Sequence, residues 1–204
     1  MSSTAEIITR LRQQAGPSSR YMVGIAGPPG SGKSTISEQL REGLIAAGES
    51  AIIVPMDGFH FDDAILNARG HRPRKGAPHT FDVAGFEVLL KRIKARESDI
   101  AIPVFDRSME LARAGAEIIS ADAKFILIEG NYLLLNQSPW HALKPLFDFT
   151  IFLGVQEAEL ERRLIARWLG FGFDEAGARE KALGNDIPNA RLVVAQSATA
   201  DIML

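Results

Sequence analysis

The sequence has no cysteine, which excludes disulfide frameworks, thiolate-held metals and cysteine nucleophiles. It has no apolar run near the roughly 18 residues that a membrane-spanning helix requires. Nor does charge of one sign dominate: 23 Lys and Arg face 25 Asp and Glu, a formal net charge of −2, so no broad field draws the chain to nucleic acid or to an anionic membrane. Its four histidines do not fall at zinc-ligand spacing, and no protein-held transition metal is expected. The opening MSSTAEIITRLRQQAG sets its few apolar residues at helical spacing and lacks the continuous apolar centre of a secretory leader. The expectation is a cytoplasmic protein that binds neither nucleic acid nor membrane.

What is present is a chain of 204 residues, 46% hydrophobic, enough to bury the core of one domain spanning 1–204. Short apolar runs of buried-strand length occur at 21–27, 51–57, 100–106, 124–130 and 149–154. Helical patterns lie between most of them, at 33–48, 83–98, 138–147 and 156–170, after a first helix through Ile7, Ile8 and Leu11 that Ser2 or Ser3 can cap. Strands alternating with helices imply an α/β fold, a mostly parallel five-stranded central sheet with helices on both faces. Two stretches break the rhythm. Residues 57–82 are rich in Gly, Pro, His and Arg, and read as a short helix followed by a long loop. Residues 168–186 are interrupted by Gly170, Gly172, Gly177 and Gly184, as suits a segment that moves.

The first apolar run leads into GPPGSGKST. Gly27, Gly32, Lys33 and Ser34 fill every fixed position of the P-loop pattern G-x-x-x-x-G-K-[ST], between a strand and a helix as that motif requires. Gly27, Pro28, Pro29, Gly30, Ser31, Gly32 and Thr35 complete a loop whose small side chains let backbone N–H groups converge on phosphate oxygens. Lys33 is placed to reach the β- and γ-phosphates of ATP, and the Ser34 hydroxyl to bind Mg²⁺. Asp57 ends the second run, where open α/β sheets place their ligand crevice, and is a candidate to accept a proton from an acceptor hydroxyl; its plainer reading is a helix cap. Glu129 ends the fourth run and is the candidate acidic partner of Mg²⁺.

Read in order, GPPGSGKS, MDGFH, RKGAPHTFD, IPVFDRS and LIEGNYLLL resemble the successive motifs of the uridine kinase, phosphoribulokinase and pantothenate kinase group of P-loop kinases. RKGAPHTFD is most like the bacterial pantothenate kinases, and the whole chain is most similar to small kinases associated with fructose transport systems. The resemblance implies the three-layer P-loop NTPase fold with a lid over 162–184 and an acceptor-binding insertion over 57–82. It also implies ATP and Mg²⁺ as cofactors, Asp57 as the catalytic carboxylate beside the acceptor hydroxyl, Glu129 near Mg²⁺, and Arg163 and Arg167 as lid arginines.

The lid reading has a local basis too. Arg163 and Arg167 are four apart and share a helix face, although Glu159 with Arg163 also makes an ordinary surface pair. The insertion and VFDRS are expected to grip the acceptor through His60, Arg74, Lys75, Asp82 and Arg107, with Arg72 beside them. In related kinases the NDIPNARLV region approaches adenine, which makes Asn185 a candidate base contact. Uridine kinases commonly carry tyrosine where this chain has Phe105, which weakens a nucleoside assignment. The reading is an ATP-dependent kinase acting on a small-molecule hydroxyl, first a sugar such as fructose, then pantothenate or a nucleoside, working as a monomer or homodimer. The rivals are a P-loop hydrolase and a nucleotide-dependent regulatory module.

Overall fold

In a computed structural model, residues 3–16 and 20–204 are described. Ser2 and most of the GPSS turn fall outside them. Ser3 closes a capping box on the first helix, α1 (Thr4–Ala15): its hydroxyl accepts from Glu6 N, and the Glu6 carboxylate accepts from Ser3 N.

The strand β1 (Tyr21–Ala26) is buried along its whole length. It needs partners on both sides. It pairs in parallel with β5 (Phe125–Gly130) on one side and β6 (Phe149–Phe152) on the other. Beyond β5 lies β2 (Ala51–Pro55), and beyond β6 lies β7 (Ile202–Met203), both again parallel. The sheet therefore has five strands in the order β2-β5-β1-β6-β7. Successive side chains alternate between its faces. Met22, Ile126 and Ile128 pack under Phe86, Leu90 and Ile93 of α4 (Val83–Lys94), whereas Val23, Ile25, Leu127 and Ile151 pack under Ile7 and Leu11 of α1 and Leu40 and Leu44 of α2 (Lys33–Ala46). Layers on both faces of a parallel sheet are what the alternating pattern implied.

Two expectations need correction. The run at 100–106 is a strand, β3 (Ile100–Asp106), but it lies outside the central sheet and pairs antiparallel with β4 (Leu111–Ile119). The ladder shifts register between Ile102 and Val104, at Pro103. Proline has no N–H to give a central ladder, which explains both the exclusion and the shift. The fifth place in the sheet is taken by β7. The stretch 138–147 forms two short 3₁₀ turns, Trp140–Ala142 and Lys144–Leu146, and no longer helix. Pro145 removes a donor and clashes with the preceding turn.

The insertion after β2 consists of a 3₁₀ turn (Met56–Phe59), α3 (Asp63–Ala68) and two further 3₁₀ turns at Arg72–Arg74 and Pro78–Thr80. After β6 the chain runs through α5 (Glu157–Gly170) and α6 (Glu175–Lys181). A π-helical turn (Ala182–Asp186) then leads into α7 (Ile187–Gln196). Among the described residues no helix is long and apolar enough to cross a membrane.

Candidate active site

The loop from Gly27 to Gly32 joins β1 to α2 and is shaped by its glycines. A Cβ on Gly27 would stand 2.8 Å from the Leu153 carbonyl and 2.9 Å from Ser31 Oγ. Gly32 holds φ at 96° and begins α2 with no side-chain cap, so the first-turn N–H groups meet no capping side chain and face an anion's natural place. Lys33 is buried, and its Nζ donates to the Pro28 carbonyl at 3.0 Å. Burial lowers its pKa to about 8, against the opposing pull of Glu129 and Asp57. Ser31 Oγ is buried with no hydrogen-bond partner. Ser34 Oγ donates to Glu129 Oε1 at 3.2 Å, and burial raises the Glu129 pKa while Lys33 pulls it down.

These features fit a nucleotide's phosphates and a hard cation. The cradle tolerates no side chain at Gly27, an orphaned hydroxyl waits in it, and Ser34 with Glu129 offers the oxygen donors Mg²⁺ prefers, with phosphates to complete the shell. No group of three or more His, Asp or Glu side chains gathers as a metal cage among the described residues.

Asp57 leaves the end of β2 on the turn Met56–Phe59. Gly58, next to it, is pressed against the Pro103 carbonyl of β3, and Gly130, next to Glu129, against the Met56 side chain. Each strand-end carboxylate is thus followed by a glycine because another segment passes there without room for a Cβ. The Asp57 carboxylate accepts from Arg107 Nη2 at 2.9 Å. His60 Nδ1 lies 2.8 Å from the Asp57 carbonyl, which can only accept, so Nδ1 carries the proton and Nε2 keeps its lone pair. The ring sits between Phe81 and Phe105, at 4.0 and 4.9 Å between centroids, and burial lowers its pKa, which keeps it neutral near pH 7.

A cavity of about 450 Å³ opens between the insertion, the β3–β4 turn and the α5–α7 region, with Pro29 of the loop at its border. Of the residues singled out in the sequence, Asp57, His60, Lys75 and Arg107 line it, together with Arg72 and Arg167. Lys75 is nevertheless fully engaged: its ammonium meets Asp63 at 2.8 Å, Glu110 Oε1 at 2.9 Å and the Glu110 carbonyl at 3.0 Å. It ties the β3–β4 turn to α3. Arg163 donates to the Gly30 and Ser31 carbonyls at 3.3 and 3.4 Å while its Nε holds Glu159, so it braces the phosphate loop. Arg167 bonds Asp186 at 3.1 Å. Arg162, by contrast, is held outward by both oxygens of Glu159.

Two expected acceptor contacts, Asp82 and Arg74, lie outside the cavity lining. Asp82 is exposed, caps α4 by accepting from Gly85 N at 2.9 Å and does not line the cavity; a carboxylate just before an apolar helical run serves that cap first. Arg74 is not part of the cavity lining and donates to the Gly184 carbonyl and to Asn189. Asn185, expected near adenine, donates to the Lys75 carbonyl at 2.8 Å and lines the same cavity as Asp57, because the π-helical turn folds the start of α7 back onto the insertion. The sequence reading missed Glu110, Asn131, Trp168, Lys181 and Asp186. Asp186 accepts from Trp168 Nε1 at 2.7 Å, and burial raises its pKa; only the coincidence of Arg167-Trp168 with a later acid hinted at that cluster.

Comparison with known proteins is consistent with this geometry. The family model described as methylmalonyl Co-A mutase-associated GTPase MeaB matches residues 1–60, the phosphate-loop end of the chain. A solved structure from Silicibacter sp. TM1040, titled a "putative fructose transport system kinase", is 40% identical, superimposes with a TM-score of 0.95 and covers 100% of both chains. The Schizosaccharomyces pombe protein named "Putative uridine kinase C227.14" is 32% identical over 100% of this chain and 91% of its own length. Pantothenate kinase from Parvibaculum lavamentivorans is 30% identical over 73% of this chain, which spans only 48% of that enzyme.

Proposed function

Because this chain belongs to the uridine kinase, phosphoribulokinase and pantothenate kinase group of P-loop kinases, we propose that it transfers the γ-phosphoryl group of ATP to a hydroxyl of a small metabolite. A sugar such as fructose is the first candidate, with pantothenate or a nucleoside next. The observation that carries the reading is the division of labour between two strand-end carboxylates that both act on Lys33. Glu129 bonds Ser34 on the metal side, and Asp57 meets Arg107 on the cavity side. A hydrolase has no need of the second.

In this proposal the loop N–H groups and Lys33 bind the phosphates, and Arg163 keeps the loop in shape while Arg167 adds positive charge from the cavity side. Mg²⁺ held by Ser34 and, directly or through water, by Glu129 would neutralise charge on the phosphates when bound. Asp57 orients the acceptor hydroxyl and takes its proton, and His60 Nε2 offers a second acceptor beside it. Positioning and electrostatics supply most of the rate. The chain is taken to work as one domain over 1–204, in the cytoplasm, as a monomer or homodimer.

The MeaB match to residues 1–60 favours a second reading, a GTP-driven switch or hydrolase. The N-K-x-D text of GTPase base recognition is absent from the sequence, which weighs against it. A coupled ADP-release screen over sugars, nucleosides and pantothenate separates the two. Acceptor-dependent ADP release is expected, whereas NTP hydrolysis indifferent to every acceptor overturns the kinase reading.

A further inference from the structure

Resting on the kinase reading, we infer that the acceptor carries an anionic group, a carboxylate or a phosphate, recognised by Lys181 and Arg72 in the cavity that Asp57 also lines. The acids that line the cavity are already matched: Asp57 with Arg107, Glu110 with Lys75 and Asp186 with Arg167. Lys75 has no N–H left to offer.

Two cationic groups remain short of partners. Lys181, the last residue of α6, forms no ion pair among the described residues, and its charge reaches the Asp186 carboxylate. Arg72 spends its Nε on Asp63, a carboxylate it shares with Lys75, and its two terminal nitrogens form no hydrogen bond among the described residues. Both half-buried side chains line the same cavity as Trp168, Phe171 and Phe173. Phe171 and Phe173 are exposed; closure of these rings and Trp168 over an acceptor would lower the local dielectric, so an unpaired cation there would be costly and an anion held strongly. A neutral polyol would satisfy hydroxyl acceptors near Asp57 and leave both cations bare when water is expelled. A hydroxy acid or a sugar phosphate satisfies both ends.

The test measures ADP release at fixed MgATP with fructose, fructose 1-phosphate, fructose 6-phosphate, gluconate and glycerate, in the parent protein and in Lys181→Met and Lys181→Arg. The expected result is a kcat/KM for an anionic acceptor about 100-fold above that for fructose, with Lys181→Met raising its KM about tenfold or more at little cost in kcat. Lys181→Arg should restore most of that KM, and ATP affinity should stay constant. Whether carboxylates or phosphates win identifies the anion. Fructose used as well as every anionic compound, or an unchanged KM in Lys181→Met, overturns this inference and leaves the kinase standing. ATP hydrolysis indifferent to the whole panel overturns both.

Discussion

Lys33 carries its charge into a place that disfavours charge, and that is its use. Free, it rests on the Pro28 carbonyl; a phosphate supplies what burial has withheld. With its pKa at about 8 against an ordinary 10.5, the folded protein releases this proton before the unfolded chain does. Between those pH values the unfolded state binds more protons, so this group makes stability rise with pH across that window, and the full cost of the buried cation is present below it. Nucleotide binding runs the other way: phosphates favour the cation, so MgATP affinity should fall as pH rises above about 8. Calorimetry at pH 8.5 in buffers of different ionisation enthalpy should record proton uptake on MgATP binding, and Lys33→Met should bind more weakly with that uptake gone. Asp57 tests the opposite side of the site. Asp57→Asn keeps shape but loses basicity and the pairing with Arg107, so kcat should fall about 10² to 10⁴-fold, with MgATP affinity changed only a few-fold. A parallel loss of ATP binding would move Asp57 to the metal. The loop residues, Asp57 and Glu129 were legible because a strand end and a motif mark them locally. Lys181 and Asp186 were not, because their meaning depends on which distant groups leave them unpaired.

At the scale of elements, the helix α4 explains why Asp82 is not in the cavity. Its carboxylate is spent on Gly85 N, and Asp82→Ala should cost about 1 kcal/mol of stability, read as a lower midpoint in urea, with the acceptor KM unchanged. A raised KM with unchanged stability would return Asp82 to the acceptor. Most of the sheet could be read from its apolar runs, since a buried parallel strand has one signature. The partner of β3 could not. The strand β4 reads LARAGAEII and is exposed along most of its length; its apolar positions are mostly alanine and its two β-branched residues, Ile118 and Ile119, come only at the end, so it carries no strong strand pattern. The two-residue β7 is too short for any pattern to register. Pro103 was the one local clue that β3 stood apart, and its weight becomes visible only beside the register shift it causes.

Taken whole, the molecule sets a three-layer body under a cover made of α5, α6 and α7. The cover is anchored by α7, whose Val193 is buried in the main core and whose Gln196 carbonyl accepts from Asn136 N, and it is tied further by Arg163 to the phosphate loop and by Arg74 and Asn185 between the insertion and the π-helical turn. Exposed Phe171 and Phe173 line the cavity from that cover, and covering them would bury apolar area only when a ligand is in place. Closure over both substrates should therefore exclude water from the γ-phosphate, and ATP alone should be hydrolysed slowly. The fate of the γ-phosphate is the most direct measure of the whole scheme. With γ-labelled ATP and the best acceptor of the screen, label should appear in the acceptor in step with ADP and scarcely in inorganic phosphate, and removing the acceptor should nearly stop ADP formation. Label released as inorganic phosphate at the same rate with or without acceptor would contradict it.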